Sequence, residues 1–481
     1  MRALAALLAL LQDPAFETRT LETGGRADRI VARDLDGDGR DDLVVQNGRD
    51  LHVFLQDPRR GFPDQPLQVL RLEPTAFLWT LAALDGRPAL LTAGSRAVQG
   101  RPFGPGGFRA EPADLAVHPS LFEGTLAEGR APLFLDFAPD LDRDGRPDLV
   151  LFLKDALLLL KQHPGGEFRA LQKVPFPVET AIAVPWAPHQ KLTEITTVPV
   201  LALGDLDGDG RPDLVTSRDE ALIACLQGPD GRYLPPRSFD LAAERRRRRV
   251  RLLQFEVPPR LGDFNGDGLL DVVLVYPSKG RVHAYYGRAG RTDFTQPDDV
   301  FHVGDGWSTG VYLEDLDRDG RPDLVMGVIR KFGVTEGVQV FLSGRVDLEL
   351  HVFPMTPAGR FSKDPVQELR FSIPFSFQLT RESIELDLVF RPNFQGDFNR
   401  DGRRDLLVAE DARTLRLYPG VPERFLADAP AGAVTLNPPP ETSLTEPFVA
   451  DLNGDGVSDL ILRHTLSVRP PRHALELKLS R

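Results

Sequence analysis

Seven times along this 481-residue chain, carboxylates recur at alternate positions of a short glycine-containing loop, in the pattern Asp-x-Asp/Asn-x-Asp-Gly-x-x-Asp-Leu/Val. The first copy is Asp34, Asp36, Asp38 and Asp42, the second Asp140, Asp142, Asp144 and Asp148, and the third Asp205, Asp207, Asp209 and Asp213. The fourth is Asp263, Asn265, Asp267 and Asp271, and the fifth Asp315, Asp317, Asp319 and Asp323. The sixth is Asp397, Asn399, Asp401 and Asp405, and the seventh Asp451, Asn453, Asp455 and Asp459. In a tight turn alternate side chains point inward, so positions 1, 3, 5 and 9 converge. Glycine at position 6 permits the bend. The carbonyl at position 7, of Arg40, Arg146, Arg211, Leu269, Arg321, Arg403 or Val457, adds a further oxygen. Hard oxygen donors at this spacing are the chemistry of a calcium site, and about seven such sites are expected. An EF-hand would place a bidentate Glu at position 12 between helices; here Asp comes at position 9 and strand-forming residues follow, so each loop caps a β-hairpin. One such copy would mean little, since surface turns are rich in Asp and Gly. Seven in one register are not that background. Like charges this close repel by several kcal/mol at an effective dielectric of ~20, so metal binding is expected to contribute to folding.

The elements that position these loops follow from their spacing. A degenerate eighth copy, Leu84-Asp85-Gly86-Arg87-Pro88-Ala89-Leu90, fills the one overlong gap and has lost most of its ligands, so it is expected to hold no metal. The repeat length is then about 60 residues. Between successive loops stands one aromatic after a turn: Phe62, Phe108, Phe168, Tyr233, Phe294, Phe361 and Phe425. Only the last loop has none after it, whereas the chain begins with Pro14-Ala15-Phe16 and a strand-like segment. Short runs such as Leu149–Leu153, Ala156–Lys161, Val272–Tyr276 and Val282–Tyr286 read as strands. No long amphipathic helix stands out. Four antiparallel strands per repeat and eight repeats predict an all-β, eight-bladed β-propeller, with seven blades as the alternative. Closure is expected from an N-terminal strand at Phe16, completing the last blade beside His473–Leu479.

The composition narrows the function. Net charge is −12, which disfavours nucleic acid and anionic membranes as partners. The single cysteine, Cys225, excludes an intramolecular disulfide framework and reads as a core strand residue rather than a nucleophile. After residue 11 no apolar run is long enough to span a bilayer. Met1-Arg2 followed by Ala3 to Leu11 reads as a signal peptide over residues 1–12, with a single propeller over 13–481, so the protein is expected to be secreted, periplasmic or at the cell surface. No HExxH or nucleophile elbow occurs, no strong catalytic constellation stands out, and the nine histidines are scattered.

The acidic loops resemble the FG-GAP/VCBS repeats of integrin α-subunit propellers and of many secreted bacterial proteins. The resemblance covers residues 16–481; the flanking FG and GAP sequences are absent, and eight blades depart from the seven of integrins. It implies a calcium-braced propeller used mainly for adhesion and recognition. Some polysaccharide lyases that cut rhamnogalacturonan share an eight-bladed calcium propeller, which adds an enzyme by analogy only.

The long insertions fall in connections at the end of the ring opposite the acidic loops. They carry the candidates for a ligand face: Trp79, Trp186, His189 and Trp307, for sugar stacking, and Arg245, Arg246, Arg247, Arg248 and Arg249, for an acidic partner. The leading expectation is a monomeric, calcium-binding recognition module for a glycan or protein. The alternatives are a polysaccharide-active enzyme such as a lyase, and an architectural module of a surface assembly.

Overall fold

The computed structural model describes residues 16–480 except 177–178, 184–192, 219–220, 242–258, 277–279, 292, 303–305, 331–332, 380–383, 389–390 and 469–471. The expected signal peptide lies outside the described residues. Strands dominate, in eight successive antiparallel sheets. Blade 1 is Arg29–Arg33, Asp42–Asn47, Asp50–Phe54 and Gln68–Arg71. Blade 2 is Ala76–Leu84, Arg87–Gly94, Ala97–Gly104 and Ala113–Val117, with Leu133–Phe134 added in parallel on its first strand. Blade 3 has three regular strands, Leu149–Phe152, Ala156–Gln162 and Phe168–Pro175. Its first position is taken by an irregular segment, to which Val150 and Asp148 donate at the carbonyls of Phe137 (2.9 Å) and Pro139 (2.8 Å). Blade 4 is Ala202–Gly204, Asp213–Arg218, Ala221–Cys225 and Arg237–Asp240; blade 5 is Arg260–Gly262, Asp271–Tyr276, Arg281–Tyr285 and Asp299–His302. Blade 6 is Gly306–Glu314, Asp323–Arg330, Arg345–Phe353 and Gln367–Leu379, extended by Ile384–Leu388. Blade 7 is Asn393–Gly396, Asp405–Ala409, Thr414–Tyr418 and Gly432–Thr435.

Blade 8 closes the ring as the sequence predicts. Thr442–Ala450, Asp459–Leu466 and Arg472–Ser480 come from one end of the chain, and Phe16–Leu21 from the other. The register runs from Phe16 opposite Ser480 to Leu21 opposite Leu475. A buried polar cluster reinforces this blade. Glu476 accepts from Lys478 Nζ (2.8 Å) and pairs with His464 Nε2 (2.9 Å), whose Nδ1 meets Thr445 (2.9 Å). Lys478 also donates to Thr18 of the N-terminal strand (2.9 Å). Burial alone would raise the Glu476 carboxyl, but hydrogen bonds from His464, Lys478 and the Asn437 amide hold it at about 2.

The second and third strands of a blade are apolar on both faces, as in Asp42–Asn47, because each sheet is covered by a neighbour on either side. Separate apolar clusters join successive blades around the ring, and the last sets Leu477 and Ile461 of blade 8 against Leu43 and Val45 of blade 1. The recurring aromatics sit at the turns between third and fourth strands, with Phe62, Phe108, Tyr233, Phe294 and Phe361 all buried. A glutamine on the fourth strand grips the following blade's turn through both amide atoms. Gln68 does so at Phe108 (2.7 and 2.9 Å), Gln172 at Tyr233 (2.7 Å both) and Gln367 at Leu426 (2.6 and 3.0 Å). Cys225 is buried in its strand, and burial pushes its thiol up to about 12.

Two local features were not legible in the sequence. The degenerate eighth loop has shrunk to a two-residue hairpin turn, Asp85 (φ 50°) and Gly86 (φ 73°), with Leu84 opposite Arg87. Both turn residues are left-handed, as a type I′ turn requires. One helix, Val334–Ser343, connects the second and third strands of blade 6. Its composition is ordinary, and it is held by its ends: Glu336 accepts the Gly333 N–H (2.8 Å) and left-handed Gly344 donates to Val340 (3.0 Å). It is the one described helix, and no helix of the described residues is long and apolar enough to cross a membrane.

The expectation for Trp79 is corrected. It is not a surface platform but fully buried, with its indole N–H donating to Gln46 Oε1 (3.0 Å) and its ring edge-on to Phe134. Its position in a first strand puts it between two blades, where a large apolar ring is worth most in the core. Trp79→Phe should therefore destabilise the protein by about 1–3 kcal/mol, because Gln46 Oε1 is left unpaired in an apolar site. Urea unfolding measures this; an unchanged midpoint would show that the hydrogen bond contributes nothing.

Candidate metal centres

Each acidic loop joins the first and second strands of its blade, so all seven lie at one end of the ring. Their backbones repeat one conformation. Position 6 is a left-handed glycine in every copy, with φ from 78° at Gly402 to 86° at Gly268. Position 4 is left-handed too, filled by glycine in four loops and by Arg143 (φ 59°), Arg318 (φ 67°) and Arg400 (φ 58°) in the others. A left-handed position kept in all seven copies, even where its residue is arginine, marks a loop shaped by its side chains.

Those side chains fold the loop around themselves. The position 1 aspartate accepts the N–H of the position 6 glycine at 2.6–3.0 Å in all seven copies. The position 5 aspartate accepts the position 7 N–H at 2.8–3.0 Å. Position 9 does most. Asp42, Asp148, Asp213, Asp271, Asp323, Asp405 and Asp459 are all buried. One oxygen of each accepts the N–H of position 2 at 2.7–3.0 Å. The other accepts an N–H just beyond, or at the end of, the third strand, at 2.6–3.0 Å. Position 9 thus staples the loop to the sheet, a second role that its place in the ligand pattern did not disclose.

In four loops the carboxylates of positions 1, 3 and 9 bring one oxygen each within 4.8 Å of one another: Asp34, Asp36 and Asp42; Asp140, Asp142 and Asp148; Asp205, Asp207 and Asp213; Asp315, Asp317 and Asp323. The other three loops carry asparagine at position 3 and keep the same hydrogen bonds. Position 5 is drawn aside in places. Asp144, Asp209 and Asp319 pair with the position 7 arginines Arg146, Arg211 and Arg321, and Asp142 pairs with Lys161. These partly exposed pairs are each worth little, about 0–1 kcal/mol, and do not bar a stronger cation.

Electrostatics favour a cation. Burial, then the neighbouring loop carboxylates, push the position 9 carboxyls to about 6 in Asp42, Asp148, Asp213, Asp271 and Asp459 and to about 7 in Asp323 and Asp405. An all-oxygen donor set of this spread fits a hard divalent ion, whose ligands at 2.3–2.6 Å lie up to about 5 Å apart. Several acidic clusters of this chain could therefore hold metal ions. Adjacent loops also touch: Asp41 N–H donates to Leu452 (2.9 Å), Leu270 to Asp205 (2.7 Å) and Ser458 to Asp397 (2.8 Å).

The opposite end of the ring carries the insertions. They include the hairpin Glu179–Ala183 with Thr193–Thr197, the helix Val334–Ser343, and the outgrowth of blade 6 through Ile384–Leu388. Trp186, His189 and Arg245 to Arg249 lie outside the described residues, and Trp307 is on a first strand, Gly306–Glu314.

A family model described as FG-GAP-like repeat matches residues 140–216, 263–326 and 397–462. No curated protein matches the sequence. Among solved structures, BBS1N in complex with ARL6DN is 10% identical, with 98% of this chain and 97% of that chain covered and a TM-score of 0.40. A lectin of Agrocybe aegerita, described for specific recognition of non-reducing terminal N-acetylglucosamine, is 14% identical over 72% of this chain and 94% of its own, with a TM-score of 0.38. The V. cholerae biofilm matrix protein Bap1 is 11% identical over 97% and 91%, with a TM-score of 0.38.

The raised carboxyls set a sign for pH dependence. Folded values of about 6 and 7 stand against an ordinary 3.8, so the protonated form favours the fold. That stability is present below about pH 4 and is lost as pH rises through 6 to 7. With divalent metal removed by EDTA, the melting temperature should fall across that window, and saturating calcium should abolish the fall. A flat profile in EDTA would contradict it.

Proposed function

The chain is an FG-GAP-repeat β-propeller, and from that premise we propose that it is an exported, calcium-braced recognition module. The carrying observation is the division of the ring into two ends. One end repeats a single acidic loop seven times; the other carries insertions that share no pattern. Repetition suits a structural task and variety suits recognition.

In this reading positions 1, 3, 5 and 9 of each loop and the position 7 carbonyl hold calcium, giving about seven ions. Bound calcium supplies charge neutralisation to buried carboxylates, and the chain's own residues do the rest. Position 9 fixes the loop to the third strand, and the left-handed residues at positions 4 and 6 turn the donors inward. The result is a rigid ring that presents its other end to a partner. The Arg245–Arg249 run and the Trp186–His189 stretch, insertions between repeats in the sequence, favour an acidic glycan, with a protein partner as the other outcome. Export fits both the apolar N-terminal run and a site that needs abundant calcium.

Retention on a panel of neutral and acidic polysaccharides tests this. Retention on acidic members is expected, lost in chelator and reduced at least tenfold by reversing the charge at Arg246 and Arg248. Unsaturated products in the same wells would replace the module with a lyase. No retention on any member would redirect the search to a protein partner.

A further inference from the structure

The seven loops share one set of backbone hydrogen bonds but differ in what the third strand presents to them. The residue that donates its N–H to the position 9 aspartate is Gln56, Gln162, Gln227, Gly287, Met355 or Gly420 in the first six loops. In the seventh it is Ser480, the one hydroxyl in the series.

That hydroxyl stands among the loop's own donors. Ser480 Oγ lies 2.8 Å from Asp459 Oδ1, 3.2 and 3.4 Å from the two oxygens of Asp455, and 3.5 Å from the Val457 carbonyl. Asn453 Nδ2 donates to it at 3.2 Å. The acceptors belong to positions 9, 5 and 7, whose oxygens are assigned to the metal; at position 3 it is the amide nitrogen of Asn453, not its oxygen, that meets the hydroxyl. A hydroxyl carries one proton and can satisfy one of the three acceptor groups, most closely Asp459. The oxygens of Asp455 and Val457 then face its lone pairs.

Ligands side by side in a six- to eight-oxygen shell sit roughly 3–3.5 Å apart. Ser480 Oγ stands at that spacing from Asp455 (3.2 and 3.4 Å) and from the Val457 carbonyl (3.5 Å). We propose that Ser480 Oγ is an additional ligand of the calcium held by the Asp451 loop, and that this loop, unlike the other six, ties metal binding to closure of the ring.

The link to closure is direct. Ser480 is the residue opposite Phe16, at the start of the N-terminal strand that completes blade 8. A ligand at Ser480 pins the end of the strand on which Phe16–Leu21 is laid. The same loop is bonded to both neighbouring loops, through Asp41 to Leu452 and Ser458 to Asp397, so it is also the point where the first and last blades meet. In the other blades the outer strand follows the third in the chain, and only in blade 8 does it come from the opposite terminus.

This inference rests on the calcium reading of the loops, and the experiment separates the two. Calcium uptake by the full chain is measured by equilibrium dialysis, and hydrogen exchange is followed at residues 16–21 and 472–480, for the wild type, Ser480→Ala and Ser480→Thr. Wild type should show calcium-dependent protection of both strands. Ser480→Ala should need at least tenfold more calcium for that protection, with exchange in chelator unchanged, and Ser480→Thr should retain most of it. Equal loss of protection by Ser480→Ala with and without calcium would make the hydroxyl a hydrogen-bonding group only and overturn the inference. Tighter calcium binding by Ser480→Ala would show that the hydroxyl competes with the ion, and would overturn it too. No calcium uptake by the wild type would overturn the metal reading itself, and the inference with it.

Discussion

The structure depends on a buried carboxylate that is bonded on both sides and still not neutralised. At position 9 of each loop an aspartate accepts one backbone N–H from its own loop and another from beyond the third strand. That interaction fixes the hairpin geometry of seven blades. It also carries an electrostatic cost. The group is buried and has carboxylate neighbours, so its proton affinity is pushed up to about 6 in Asp148 and about 7 in Asp405. The same residue that gives each blade its shape thereby creates the demand for a cation. On the proposed calcium reading, folding and metal binding are in this way two consequences of one placement.

Around that constraint the rest of the ring is arranged to be continuous. Apolar strands fill the space between blades on both faces, and glutamines on the fourth strands reach across to the next blade's turn. The one discontinuity is blade 8, where the two ends of the chain meet. It is also where a buried polar cluster joins Glu476, His464 and Lys478, and where the N-terminal strand receives a hydrogen bond from Lys478 at Thr18.

Much of this was legible in the sequence because repetition amplifies weak signals. One Asp-rich turn says little, but seven in register disclosed the loops, the degenerate copy at Asp85 completed the count of eight, and the missing aromatic after the last loop pointed to the closing strand at Phe16. What stayed hidden were features that repeat loosely or not at all. Gln68, Gln172 and Gln367 share a role but no local motif, since each acts on the blade that follows. Ser480 lies 21 residues from its aspartate partner in the chain and meets it only through strand pairing. Trp79 reads in the sequence as a candidate surface platform, and only the packing of neighbouring blades places it in the core. Asp85 and Gly86 keep the turn of the repeated pattern without its donors, and the fold makes a two-residue hairpin of them.

The central claim is that the seven acidic loops are metal sites that hold the ring together. The most direct measurement is the number of calcium ions bound per chain at saturation, by equilibrium dialysis of protein first stripped with chelator. The account predicts about seven, bound without any at the contracted turn of blade 2. A stoichiometry of none or one, with the protein folded, would show that the loops are held by their hydrogen bonds alone and would contradict it.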